Sequence, residues 1–390
     1  MNVGGVLIMG FDWLSEPTLQ ELLRLLGKAR VAGGAVRNGL MGLDVHEVDI
    51  ATAYEPQEVM LRARAAGFGV HPTGLQHGTV TVAKNGQAFE VTTLRRDVVS
   101  DGRHAQVAFT DDWQEDAKRR DFTMNALYCD AQGQVFDPIG GLSDIAARRV
   151  RFVGEPSQRI REDYLRILRF FRFFAQYGAG DIDASGLAAC AAEKQGLVQL
   201  SSERITQELL KLLVAPRASE ALGFMQQCGV LQFILPEARL IDFQHLQALD
   251  QREDFAPDVI LRLVVLAPNV EVAEKLRLSR AQMKRFCAIL SAEKPVLTHI
   301  KQQIYRQTPD IFRANLKRHW QAEWREALQV LENWVVPEMP VKAADLMAFG
   351  FTPGPELGQA LRQIEDEWLQ SDFTKGMAEL LLPYHKDLKS

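Results

Sequence analysis

The sequence predicts an α+β protein, with a head of strands and helices followed by an all-helical remainder. Three observations carry this expectation. Gly33-Gly34 lies between a short apolar run and a second run that holds Glu47 and Asp49, which reads as a glycine turn feeding an acidic strand. Asn85-Gly86 joins two alternating segments, a strong hairpin signal. From Ser157 onward nearly every segment carries apolar residues at helical spacing.

Taken in order, Ser15 and Pro17 open a helix whose Leu19, Leu22, Leu23 and Leu26 fall on one face, and Gly27 closes it. Arg30 to Ala32 is a short strand running into the glycines. In the acidic strand, side chains two apart point the same way, so Glu47 and Asp49 share a face while Val48 and Ile50 pack behind. Pro56 starts a second helix that ends near Gly67. Thr79 to Ala83 pairs with Gln87 to Leu94, and Glu90 leaves the sheet on the side opposite Phe89 and Val91. Leu94 to Trp113 is polar, charged and aperiodic, and is expected to be a mobile loop. Ile160 to Tyr177 reads as one long apolar helix. Breaks are expected at Gly178-Ala179-Gly180, Pro216, Pro236, Pro295 and Pro337, with no internal repeat or low-complexity tract.

A length of 390 residues suggests roughly two to four domains, and 47% hydrophobic content is ample for their cores. The net charge of -5 argues against a protein that coats nucleic acid nonspecifically, while leaving room for a local basic face. Cys129, Cys190, Cys228 and Cys287 are far apart and form no C-x-x-C pair, so neither zinc nor a disulfide framework is indicated. Met1 to Phe11 is apolar but short and lacks a basic start, and no run reaches the length of a membrane span. A cytoplasmic protein with no membrane partner and no evident protein partner is expected.

Two convergent carboxylates are how proteins hold divalent metals for phosphoryl chemistry, although an acid on a half-buried strand is often only its solvated side. Arg119 to Leu127 sets two cations, an acid and an amide against an apolar run. An arginine there can grip phosphate in a two-pronged way while the Asp meets a sugar hydroxyl; equally, Asp121 can cap a helix start. Along Ile160 to Tyr177, Glu162 and Asp163 fall four and three residues before Arg166, so the three can meet on one face. Such a set could imitate the Watson-Crick edge of a base, or form a solvated salt bridge. Arg169 and Arg172 continue the stripe and suit a triphosphate.

Together these segments resemble the class II tRNA nucleotidyltransferases, or CCA-adding enzymes, which share ancestry with bacterial poly(A) polymerases. The resemblance runs from about Arg30 to Pro236. It rests on Val31 to Arg37, Pro72 to Thr79, Glu90 to Arg95, Arg119 to Leu127, Asp137-Pro138-Ile139-Gly140-Gly141 and Glu162 to Arg169, all in order. It implies a nucleotidyltransferase head of the DNA polymerase beta-like kind over 1–153, built on a mixed β-sheet with helices. A nucleotide-selecting neck over 154–216, a body over 217–300 and a tRNA-binding tail over 301–390 would follow.

The resemblance further implies that Glu47 and Asp49 hold two Mg²⁺ ions, with Glu90 as a candidate third carboxylate. Gly34 and Arg37 would contact the nucleotide triphosphate, Arg120 the phosphates and Asp121 the ribose region. Asp163 and Arg166, steadied by Glu162, would select cytosine and adenine, while Arg169 and Arg172 bind phosphate. The implied activity is template-independent addition of CCA to the 3′ end of tRNA from CTP and ATP. The family usually carries Asp-x-Asp where this chain has Glu47-Val48-Asp49, and Asn38 stands where an Asp commonly follows the Arg. A poly(A) polymerase and a noncatalytic RNA-binding relative are the alternatives. The length of the Leu94 to Trp113 stretch, and the lack of an arginine-rich Phe-Arg segment near Pro72, favour CCA addition. Cations from Lys275 to Arg318, with Trp320 and Trp324 beside them, mark Val270 to Arg325 as the place to seek a surface for the acceptor and T arms.

Overall fold

The computed structural model describes residues 2–3, 6–7, 11–99 and 106–385. It divides into two compact units, Met1–Leu240 with Lys275–Arg277, and Ile241–Glu274 with Leu278–Ser390. In the first, α1 (Pro17–Leu26) begins with proline at its first turn, and the Glu16 carboxylate accepts from the Leu19 N–H at 2.6 Å. Its four leucines are buried, and Gly27 ends it at φ 64°.

Strand β1 (Ala29–Ala32) leads to the glycines, and here the expectation needs correcting. Gly33 and Gly34 open a helix, α2 (Gly34–Met41), and an irregular run that holds Glu47 separates it from the next strand. Gly33 has φ 67°, and a Cβ there would lie 3.0 Å from the Arg120 guanidinium, so both its backbone and its surroundings require glycine. Strand β2 (Asp49–Thr52) starts at Asp49, which leaves Glu47 in the irregular run outside the sheet, where strand alternation does not fix its direction.

After α3 (Pro56–Ala65) come β3 (Gly69–Gly74), β4 (Thr79–Lys84) and β5 (Gln87–Thr93). Lys84 pairs with Gln87 across Asn85 (φ 54°) and Gly86 (φ 77°), the left-handed pair that a two-residue hairpin demands. The expected loop that follows is largely an antiparallel ribbon of β6 (Arg95–Val99) and β7 (Gln106–Phe109), with Arg95 opposite Phe109 and Arg96 opposite Ala108. Arg95 to Val99 and Gln106 to Phe109 carry no apolar alternation, so the sequence looked aperiodic. The expected mobility falls partly on residues 100–105, which lie outside the described residues.

Helix α4 (Trp113–Lys118) is capped by Asp112, so Arg119 and Arg120 follow a helix end and do not precede a start. Strands β8 (Tyr128–Cys129) and β9 (Val135–Phe136) complete the main sheet, and α5 (Gly141–Ala146) follows. Among the described residues the sheet has seven strands in the order β9-β8-β1-β2-β5-β4-β3. Only β2 and β5 run parallel within it.

The predicted Ile160 to Tyr177 helix is broken in two. Helix α6 (Pro156–Glu162) ends at Asp163, whose backbone is extended (φ −156°, ψ 105°), and α7 (Leu165–Tyr177) starts afresh. Helices α8 (Ala184–Glu193) and α9 (Ser202–Leu213) follow. Phe170 and Phe171 of α7 are fully buried, and Phe122, Phe152 and Phe170 pack in sequence at 5.0 and 5.2 Å between ring centres. Each such ring contributes roughly 1.5–3 kcal/mol on burial, so α7 is fastened to the head by its own core.

The second unit is helical, with one apolar cluster around Phe312, Leu316 and Trp324 and another around Leu357, Ile364 and Trp368. Most of the cations expected to form an RNA surface are paired within their own unit. Arg285 meets Asp258 and Asp310, Lys301 meets Asp372, Arg306 meets Asp366, Arg313 meets Glu332 and Lys317 meets Asp250. Arg318 donates to the Ile289 and Leu290 carbonyls. Among the described residues no helix is long and apolar enough to cross a membrane.

Candidate active site

The acids at the sheet centre are positioned by strand pairing. Strands β2 and β5 lie side by side with Asp49 in register with Glu90, so the two carboxylates leave the same face. Ile50 and Val91, the next pair, are buried behind them. Both acids open to solvent, yet enough protein surrounds Asp49 that desolvation, then the charge of Glu90, push its pKa above the usual carboxylate range. Arg120 opposes that rise, and Glu47 adds to it, so Glu47 stands close enough to repel although it lies off the strand. Among the described residues no three His, Cys, Asp or Glu side chains gather into a ready-made metal cage.

Arg120 links these acids to the glycine turn. Its Nη1 donates to the Asn125 carbonyl at 3.3 Å and sits where a side chain on Gly33 would go. Asp116, buried in α4, anchors it: Asp116 pairs with Arg119 at 2.6 Å and with Arg120 at 3.3 Å, and accepts from the Tyr128 hydroxyl at 2.7 Å. Burial alone would raise the Asp116 carboxyl, but Arg119 and Arg120 hold it below its ordinary value. Gly34 carries no such constraint; a Cβ there would lie 3.8 Å from the Arg37 Nη2.

Asp121 caps no helix. Its Oδ2 accepts from Nε and Nη2 of Arg169 at 2.8 and 2.6 Å, and its Oδ1 from the Asn125 amide at 2.9 Å. Burial pushes this carboxyl up, but Arg169 and the amide outweigh it and the net shift is downward. Asn125 Oδ1 in turn accepts from Arg37 Nη1 at 2.5 Å. Glu208 of α9 pairs with Arg172 and, at 3.7 Å, with Arg169. The Phe173 ring is shared by Arg37, Arg169 and Arg172, whose guanidinium carbons stand 5.2, 5.2 and 4.5 Å from its centre.

The expected trio on one helix face is only half assembled. Glu162 pairs with Arg166 at 2.6 Å, and also with Arg159. The Asp163 carbonyl accepts from the Arg166 N–H at 3.0 Å, but at the break after α6 its carboxylate turns elsewhere, and Oδ2 accepts from Arg204 of α9 at 2.8 Å. Arg166 also donates to the Arg159 carbonyl at 2.7 Å. Arg119, Arg120, Arg159, Arg166, Arg169 and Arg172 are thus each paired with one of Asp116, Asp121, Glu162 and Glu208. Asp116, Arg159, Tyr177, Arg204 and Glu208 escaped the sequence reading. Glu208 left one trace, an acid beside Leu209 and Leu212 on the buried side of α9.

Two carboxylates thus stand paired across the sheet, and Arg120 connects them to a crowd of guanidiniums. Residues 29–151 match the family described as the poly A polymerase head domain, and residues 181–241 match the probable RNA and SrmB-binding site of polymerase A. The chain is 34% identical over 371 residues to CCA tRNA nucleotidyltransferase 1, mitochondrial, of Danio rerio, covering 90% of this chain and 86% of that one. It is 30% identical over 401 residues to the CCA-adding enzyme of Leuconostoc citreum, covering 96% of each. The solved structure of the Bacillus stearothermophilus CCA-adding enzyme in complex with CTP is similar at a TM-score of 0.73 and 25% identity, over 96% of this chain and 98% of that one. The chain belongs to the class II CCA-adding enzyme family of tRNA nucleotidyltransferases.

That membership implies a divalent metal. The donor set suits a hard cation: Asp49 and Glu90 offer carboxylate oxygens from adjacent register positions, with Glu47 near.

Proposed function

We propose that this chain completes tRNA 3′ ends by adding C, C and A from CTP and ATP without a nucleic-acid template, and that Glu47, Asp49 and Glu90 form its metal-binding edge. The observation that carries this reading is the raised Asp49 carboxyl beside Glu90, because acids held together against mutual repulsion are suited to a cation. Mg²⁺ is the ion we assign, held by Glu47 and Asp49 with Glu90 as the further carboxylate; when bound it would activate the attacking hydroxyl and neutralise the departing pyrophosphate.

The chain's own residues do the rest. Arg37, Arg120, Arg169 and Arg172 supply positive charge for the triphosphate, and Gly34 leaves room for its approach. Asp121, fixed by Arg169 and Asn125, presents an acceptor near the ribose. Arg166 and Asp163 select the base by hydrogen bonding; Glu162 orients the first and Arg204 the second. Our domain division keeps a head over 1–153, a neck over 154–216, a body over 217–300 and a tail over 301–390, with the body and tail following the acceptor and T arms by shape. A cytoplasmic site is part of the reading, supported by four cysteines that are all free.

The test is extension of tRNA ending at the discriminator base, with ATP alone and then with CTP plus ATP. A three-nucleotide product that requires CTP supports CCA addition. A long tail from ATP alone supports poly(A) synthesis instead.

A further inference from the structure

Arg37 differs from the other guanidiniums around Phe173. It is 6% exposed, and among the described residues no carboxylate lies within ion-pair distance of it. Its polar partners are neutral: Asn125 Oδ1, Asn38 Oδ1 at 3.1 Å from Nε and 2.8 Å from Nη2, and the Tyr177 hydroxyl at 2.8 Å from Nη2. Burial pulls the guanidinium below its ordinary pKa, Tyr177 and Asp121 oppose this, and Arg172 and Arg169 add to the fall. A buried cation with neutral partners keeps its charge available to an incoming anion, whereas a paired one must first break a salt bridge.

Tyr177 is the partner that joins two separate parts of the unit. It is the last residue of α7, the helix that also carries Arg166, Arg169 and Arg172, while Arg37 sits in α2 beside the glycine turn. Its hydroxyl accepts from Arg37 and its ring centre lies 4.1 Å from the guanidinium carbon, so one side chain fixes both the plane and the position of that group. Phe173, one turn back, backs the Tyr177 ring at 5.3 Å.

Resting on the function proposed above, we infer that Tyr177 is a positioning residue for the triphosphate: it holds Arg37 as an uncompensated cation in register with Arg169 and Arg172. Because Tyr177 ends α7 while Arg166 lies in its first turn, Tyr177 governs how tightly any nucleotide is held and leaves the choice among bases alone.

The experiment measures CTP and ATP dissociation constants by calorimetry, and extension kinetics in parallel, on the full chain and on Tyr177→Phe, which keeps the ring and loses the hydroxyl. The expected result is a rise of about tenfold in both dissociation constants, since the lost bond is to a charged group. The rise should appear in KM more than in kcat, with the melting temperature held and the order of C before A kept. In an Arg37→Gln background the same change should have no further effect. Unchanged dissociation constants in a folded Tyr177→Phe protein overturn the inference, as does an undiminished effect in the Arg37→Gln background. A wild-type protein that binds nucleotide but extends no tRNA removes the proposed function, and the Tyr177 result still stands or falls on binding alone. A wild-type protein that binds neither nucleotide overturns both.

Discussion

The Asp163 carboxylate is held by Arg204, whose Nη2 donates to Asp163 Oδ2 at 2.8 Å, and not by Arg166 three residues on. The two groups proposed to select the base therefore have separate supports, Glu162 for Arg166 and Arg204 for Asp163. Both partners of the Asp163 pair are half exposed, so Arg204→Met should cost less than about 1 kcal/mol of stability. The same change frees the Asp163 carboxylate to swing. Its expected signature is a lowered preference for CTP and ATP over UTP and GTP in single-nucleotide extension, with an almost unchanged melting curve.

The turn between α6 and α7 leaves no room behind Tyr164. A Cβ on Gly196 would come within 2.0 Å of the Tyr164 ring, and Tyr164 sits between Asp163 and Arg166. Gly196→Ala should destabilise the chain by about 1–3 kcal/mol through overpacking. Displacement of Tyr164 should also weaken base choice, which urea unfolding and extension assays can follow together.

In the second unit, Asp250 is nearly inaccessible and serves two buried cations, Arg262 at 3.0 Å and Lys317 at 2.6 Å. Asp250→Ala would strand both charges, at a cost of about 3–5 kcal/mol. Lys301→Ala breaks the exposed pair with Asp372 and should cost at most about 1 kcal/mol. Differential scanning calorimetry separates the two outcomes.

The Asp49 carboxyl is raised in the folded state, by desolvation first and by Glu90 next. A group whose folded pKa exceeds its unfolded value binds protons more tightly when folded. Its contribution is therefore fully present below the unfolded value and lost as pH climbs through the folded one. Asp49→Asn removes that loss, so the variant should melt higher than the wild type at neutral pH, with the advantage shrinking on acidification through the carboxylate range. Asp121 has the opposite sign: its lowered carboxyl stabilises the fold above the ordinary range and loses that contribution as pH falls.

Much of the fold was legible because single residues forced it. Pro17, Gly27, Asn85 and Gly86 each impose a backbone geometry, and the elements they bound are where those residues require. The helix after Gly33 was hidden because two glycines read as a turn. The β6–β7 ribbon was hidden because neither Arg95 to Val99 nor Gln106 to Phe109 alternates apolar and polar residues. Glu162 and Arg166 do pair, but across the break between α6 and α7 and not along one helix face, and the same break sends the Asp163 carboxylate to Arg204. Partners brought from distant segments, such as Glu208 for Arg172 and Tyr177 for Arg37, leave no local period to read.

On the function proposed here, nucleotide transfer at this sheet edge requires Asp49. The direct measurement is CTP incorporation into tRNA lacking its CCA end by Asp49→Ala, alongside a gel-shift assay of tRNA binding. Loss of incorporation with tRNA binding retained is the predicted result. Substantial incorporation by a purified, folded Asp49→Ala protein would contradict the claim.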